Sequence, residues 1–257
     1  MLPLSDWPAA ARAGIVGVLT DIDDTLTTEG AITADALAAL GELRAAGIHV
    51  IPITGRPVGW SEPFASAWPV DGIVAENGAV ALAGGRKLYM QDAATRAANF
   101  ARMRQVAQRI LREVPGAQLA RDSAGRETDI AVDHSEFTQL PEPLIDRVVA
   151  LMREEGMNAT VSSIHVNGWY GEHNKLAGAR WAVRLLLDRD LDAETGRWAY
   201  VGDSTNDVLM FAHFPHSIGV ANIRRFAAQL THPPRYVTPG ERGAGFAEAA
   251  RALLAAR

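Results

Sequence analysis

Apolar residues in this chain gather in short runs separated by longer stretches of helical spacing. Residues 14–19, 48–53 and 72–75 are such runs, rich in β-branched side chains, and read as buried strands. Between the first two, Thr33 suits the cap of a helix running to about Ala46 and closed by Gly47. Pro57 suits the first turn of the next helix. Strands that alternate with helices predict a parallel sheet covered on both faces.

The middle of the chain has a different rhythm. Residues 79–82 and 87–90 flank Gly84-Gly85 and predict a hairpin. A helix over 93–114, strands over 118–121 and 127–132, a helix over 143–155 and strands over 159–162 and 164–167 follow. This αββαββ order has antiparallel character. In its last strand, Ile164 and Val166 are expected on one face and His165 and Asn167 on the other. From Asn174 the alternation resumes, with a helix to about Leu187 and strands over 198–201, 217–220 and 235–237. Helices are expected after Asp203, over 223–230 and at the end of the chain. The expected organisation is one α/β core split in sequence, residues 1–83 and 171–257, with an α+β cap, residues 84–170, inserted between the halves.

Composition narrows the function class. The 257 residues are 48% hydrophobic, yet no apolar run approaches the ~20 residues that span a bilayer. The N-terminus lacks the basic start and apolar stretch of a signal peptide. Cysteine is absent, which excludes disulfides and thiolate metal sites, and the seven histidines show no zinc-site spacing. A soluble cytoplasmic protein is expected, with no membrane partner. The net charge of −5, with both signs mixed along the chain, argues against a nucleic-acid surface. Among 25 basic residues only Lys87 and Lys175 are lysines, so each retained lysine is informative. Nothing in the sequence specifies an oligomeric state.

The candidate chemistry lies where predicted strands end. Thr20-Asp21-Ile22-Asp23-Asp24-Thr25 follows the first strand, and in an open parallel sheet ligands bind beyond the carboxyl ends of the strands. Carboxylates packed this closely repel unless a cation neutralises them, and an all-oxygen site favours Mg²⁺. Read alone, the segment also allows a solvated acidic turn or a helix cap. Thr54-Gly55-Arg56 follows the second strand, offering a hydroxyl and main-chain N–H groups to a phosphate. Lys175 begins the helix that re-enters the core, a place a cation avoids unless an anionic site attracts it. Gly202-Asp203-Ser204-Thr205-Asn206-Asp207 follows a later strand and brings further acids, alternatively read as helix caps.

Together these four segments, in this order and context, resemble the four motifs of the haloacid dehalogenase superfamily, and the inserted unit looks like its class IIB cap. The resemblance implies a Rossmann-like core and phosphoryl transfer. Asp21 would be the nucleophile, Asp23 the general acid and base, and Thr54, Gly55 and Lys175 the phosphate ligands. Mg²⁺ would be held by Asp21, the Asp23 main-chain carbonyl and Asp203, supported by Asn206 and Asp207. Two departures stand out: Asp24 where the family commonly has glycine, and one extra residue in the approach Gly171-Glu-His-Asn-Lys175.

A phosphatase acting on a small phosphorylated metabolite is expected, a sugar phosphate or a sugar-phosphoglycerate ester. A phosphohexomutase and a non-catalytic phosphoacceptor or metabolite-binding protein are the alternatives. Arg56, Asn77, Glu127, His165 and Asn167 are the candidate substrate contacts at the cap and rim. Trp60, Trp169 and Tyr170 are expected to pack the cap against the core, with stacking on a sugar ring as the alternative.

Overall fold

A computed structural model describes all residues 1–257. Its centre is a six-stranded sheet in the order Leu2–Pro3, Tyr236–Val237, His216–Gly219, Trp198–Gly202, Gly17–Thr20, His49–Pro52. Every pairing in it is parallel. Successive side chains on a strand point to opposite faces, so each strand feeds two cores. Val18, Val50 and Val201 join Leu40 and Leu43 of the helix Ala34–Ala45 and Phe246 and Leu253 of the helix Arg242–Leu254. Their neighbours Leu19, Ile51 and Tyr200 pack instead on Ala179 and Val183 of the helix Lys175–Leu187 and on Met210 and Phe211 of Val208–His213. Each fully buried side chain of this size contributes about 1.5–3 kcal/mol, which explains why both faces are sealed. Thr33 caps its helix as expected, accepting from the Ala36 N–H.

Beyond the sheet edge, Ile53 bridges in parallel to Val74, and Ile73–Ala75 carries the hairpin Val80–Ala83 and Arg86–Tyr89. Both hairpin strands therefore sit on the core side.

The cap has the expected αββαββ order, from the helix Ala93–Glu113 to the strand His165–Trp169. Its antiparallel sheet runs Asn158–Val161, His165–Trp169, Ile130–Asp133, Gln118–Leu119. Val132 and Val166 stand opposite each other and are buried with Met103, Ile110, Val148 and Leu151 of the two cap helices. The alternate pairs, Ala131 with Asn167 and Asp133 with His165, lie on the face turned to the core. Ile164 departs from the expected alternation; it precedes the strand and lines the cleft.

Three further elements differ from expectation. The strand predicted at 127–132 starts only at Ile130, because the Glu127 and Thr128 N–H groups donate to the Glu76 carboxylate. The helix predicted over 223–230 is a 3₁₀ segment, Ala221–Phe226. A 3₁₀ turn, Thr205–Asp207, leads into the helix after Asp203. No helix is long and apolar enough to cross a membrane.

Candidate active site

Two adjacent strands of the sheet, Gly17–Thr20 and Trp198–Gly202, pair in parallel, so the loops after them leave the same edge side by side. That juxtaposition brings Asp21 and Asp203 together from opposite ends of the chain. Thr54 follows the neighbouring strand and is fully buried, its hydroxyl accepting from the Arg56 N–H at 2.9 Å.

Lys175 reaches this edge because its helix lies against the turn after Ile73–Ala75. Gly78 and Gly178 touch main chain to main chain, and a Cβ on either would run into the other segment. Gly78 also has φ of 110°, a conformation that side chains resist. Asn174 caps the helix by accepting from the Ala177 N–H at 2.9 Å, which leaves Lys175 as its first residue.

The Lys175 ammonium stands 2.9 Å from Asp21 and 2.7 Å from Asp207. Asp207 also accepts from the Tyr200 hydroxyl at 2.6 Å and from the main-chain N–H groups of Asp203 and Ser204 at 2.9 and 3.3 Å. Asp203 accepts from the Asn222 amide at 3.2 Å and from Thr25 at 3.5 Å. All four charged groups are buried. Burial works against the charge of Lys175, but Asp207 and Asp21 outweigh it and raise its proton affinity. Burial pushes Asp21 up to about 7 despite Lys175. Burial, then Asp21 and Asp207, pushes Asp203 well above the usual carboxylate range.

One ammonium facing three buried carboxylates leaves a deficit of positive charge, and oxygen atoms of Asp21, Asp203 and Asp207 lie within 4.8 Å of one another. The donor set is all oxygen, which fits Mg²⁺. Each Asp207 oxygen already takes two donors, whereas each Asp203 oxygen takes one, so Asp21 and Asp203 have the free capacity and Asp207 holds the site around them.

Asp24 has φ of 54°, which explains a glycine preference at this position; aspartate is among the residues that tolerate it. Its carboxylate pairs with Arg242 at 3.0 Å, and Asn222 donates to its carbonyl at 3.0 Å.

Asp21, Asp23, Gly55, Arg56, His165, Asn167 and Asn206 line one small cavity together with Ser162 and Ile164. At 10 Å³ it holds about one water molecule, so the cap is closed on the core. The Asn77 side chain lies against Gly55. Glu127 is elsewhere: its carboxylate accepts from Tyr89 at 2.7 Å and Lys87 at 3.2 Å, outside the cavity. Trp169 and Tyr170 belong to the cap's own core, and Trp60 lies under the Arg56 guanidinium.

Further side chains tie the cap to the core across the cleft. Glu76, fully buried, takes hydrogen bonds from Val58, Glu127 and Thr128 and so joins core to cap. Arg126 and Asn167 of the cap both donate to the Gly55 carbonyl, at 2.9 and 3.3 Å. Asp122 and Glu136 of the cap reach Arg56. Asp122, Glu136 and Tyr200 were not singled out by any motif or spacing in the sequence.

A family model for haloacid dehalogenase-like hydrolases matches residues 18–108. A search of curated proteins found no match. Among solved structures, the Thermoplasma acidophilum 0175 protein is 15% identical with a TM-score of 0.72, over 93% of this chain and 98% of that one. The sucrose-phosphatase of Synechocystis sp. PCC6803, solved with sucrose and phosphate, is 16% identical with a TM-score of 0.66, over 93% and 97%. A subclass IIB sugar phosphatase is 14% identical with a TM-score of 0.63, over 91% and 97%. At these identities the likeness concerns the fold. Residues 18–108 match the haloacid dehalogenase-like hydrolase family, and the chain shares the fold of these solved structures over more than nine-tenths of its length.

Proposed function

We propose that the protein is a Mg²⁺-dependent phosphatase that hydrolyses a small phosphorylated metabolite through an aspartyl-phosphate on Asp21. The observation that carries this reading is the meeting of Asp21, Lys175 and Asp203 in one buried cluster at the carboxyl edge of the parallel sheet. Phosphoryl transfer is promoted chiefly by positioning and by neutralising charge on the phosphoryl oxygens. Lys175 and Thr54, with the main-chain N–H of Gly55, are the groups here for holding those oxygens.

A carboxylate oxygen of Asp21 attacks phosphorus as the bond to the ester oxygen breaks, and Asp23 gives its proton to the departing alcohol. Asp23 then takes a proton from water, whose oxygen attacks the same phosphorus. The bond from phosphorus to Asp21 breaks, which releases phosphate and restores the carboxylate. Asp21, Asp203 and the Asp23 carbonyl would hold Mg²⁺, with Asn206 and Asp207 in support, and the ion would supply charge neutralisation at the phosphoryl group.

The leaving group faces Arg56, His165, Asn167 and Asn206, polar side chains suited to the hydroxyls of a sugar phosphate or a sugar-phosphoglycerate ester. The closed cavity favours a small substrate for which the cap must open. A phosphate-release screen over phosphorylated metabolites with Mg²⁺ tests the reading. Release from none of them would refute it, and an isomerised product without release would mark a phosphomutase.

A further inference from the structure

Arg56 belongs to the core but is held from two sides. Its Nε lies 2.9 and 3.1 Å from the two Asp23 oxygens, and its Nη2 2.9 Å from Oδ1. From the cap, Glu136 accepts from Nη2 at 2.7 Å and Asp122 from Nη1 at 3.2 Å. Arg56 is only 5% exposed and its guanidinium lies 5.1 Å from the centre of the Trp60 ring, so it has little room to move.

Glu136 is itself held in place. Its N–H donates to Asp133 at 2.9 Å, and the next two N–H groups donate to the other Asp133 oxygen at 3.0 and 3.2 Å. Its second carboxylate oxygen meets His165 at 2.9 Å. Asp122, by contrast, divides itself between Arg56 and Arg126, and Arg126 is already paired with Asp129. Both cap carboxylates reach the core through Arg56, and Glu136 makes the shorter contact, 2.7 Å against 3.2 Å for Asp122. A planar guanidinium with fixed N–H directions transmits position: pulling one edge toward Glu136 fixes where the other edge holds Asp23. Opening the cap removes Glu136 and Asp122 together and frees the Arg56–Asp23 pair to rotate.

We infer that Glu136 is a positioning residue for Asp23, acting through Arg56, so that proton transfer to the leaving group is competent only with the cap closed. The inference rests on the phosphatase reading, in which Asp23 handles the protons. It makes the cap a checkpoint for chemistry as well as a cover.

Glu136→Gln, Arg56→Lys and the double variant, each assayed on an alkyl phosphate from the screen and on p-nitrophenyl phosphate, test it. Nitrophenolate leaves without needing a proton, so its kcat/KM is insensitive to a misplaced acid. Glu136→Gln is expected to lower kcat/KM about tenfold for the alkyl ester and under about threefold for the aryl ester, mostly in kcat. In the Arg56→Lys background the same change is expected to add nothing, because the connection is already lost. Equal losses on both esters, no loss, or an undiminished loss beside Lys at position 56 would each overturn the inference. Amide hydrogen exchange on the substrate-free protein decides the point without turnover. Residues 54–57 and 134–138 are expected to exchange faster in Glu136→Gln than in the parent, and unchanged exchange overturns the connection. A parent protein that released phosphate from neither ester would defeat the phosphatase reading, and the exchange result would still judge the link.

Discussion

Asp207 meets Lys175 at 2.7 Å in the interior of the core, and that carboxylate has a donor on each oxygen: Lys175 and Tyr200 on one, two main-chain N–H groups on the other. Removing it strands Tyr200 and the two main-chain N–H groups and leaves Lys175 with Asp21 alone. Asp207→Ala is expected to cost about 3–5 kcal/mol, the range for breaking a buried ion pair from one side. Urea denaturation measures this, and a loss under about 1 kcal/mol would show that the cluster does not depend on Asp207. Asp207→Asn keeps the shape and is expected to cost less.

Asp21→Asn tests the nucleophile. Lys175 keeps Asp207 as its partner in this variant, so the fold is expected to remain. Phosphate release is expected to fall by roughly 10³-fold or more. Activity near that of the parent protein, in a sample with the same circular dichroism, would remove Asp21 from the mechanism.

Metal dependence has a pH signature. Burial raises Asp21 to about 7 and raises Asp203 as well, both above the unfolded carboxylate range near 4. Stability from such groups is present below the unfolded value and is lost as pH rises through the folded one. The metal-free protein is thus expected to weaken between about pH 4 and pH 7. Mg²⁺ at a hundred times its Kd adds about 2.7 kcal/mol. Its increment in Tm is expected to be larger at about pH 8 than at about pH 5, where protons compete for the ligands. Equal increments at both would argue against Asp21 and Asp203 as the ligands. Chelation is expected to abolish turnover, and Mg²⁺ to restore it.

The crossing of Gly78 and Gly178 positions the whole helix that begins with Lys175. Gly178→Ala places a methyl group against the Gly78 main chain, where neither segment has a flexible side chain to move. Overpacking of this kind costs about 1–3 kcal/mol. The melting temperature is expected to fall and turnover with it, because Lys175 is displaced from Asp21. An unchanged Tm would mean that the helix can shift without cost.

Local sequence was sufficient wherever chemistry sits directly after a strand. Asp21, Thr54 and Asp203 follow apolar runs whose parallel pairing brings their loops to one edge, so their convergence was predictable from the order of elements. Period-two alternation likewise put His165 and Asn167 opposite Val166. It failed for Ile164, which precedes the regular strand and is not bound by its pleat. The strand expected from Glu127 failed for a different reason: its first N–H groups are claimed by Glu76, some fifty residues away in sequence. Glu127 accordingly lies outside the small cavity, paired with Lys87 and Tyr89.

The sequence by itself determined the layout: a split α/β core, an αββαββ insertion, and four chemical segments at strand and helix starts. Periodicity and strand-end chemistry are local properties, and they survive without knowledge of what packs on them. Only the tertiary structure decided how the cap meets the core. That contact is made by Glu76, Asp122, Arg126 and Glu136, residues in turns and loops whose sequence neighbours share no period. Their role depends on through-space distances to Thr128, Gly55 and Arg56, and such distances are set by packing rather than by spacing along the chain.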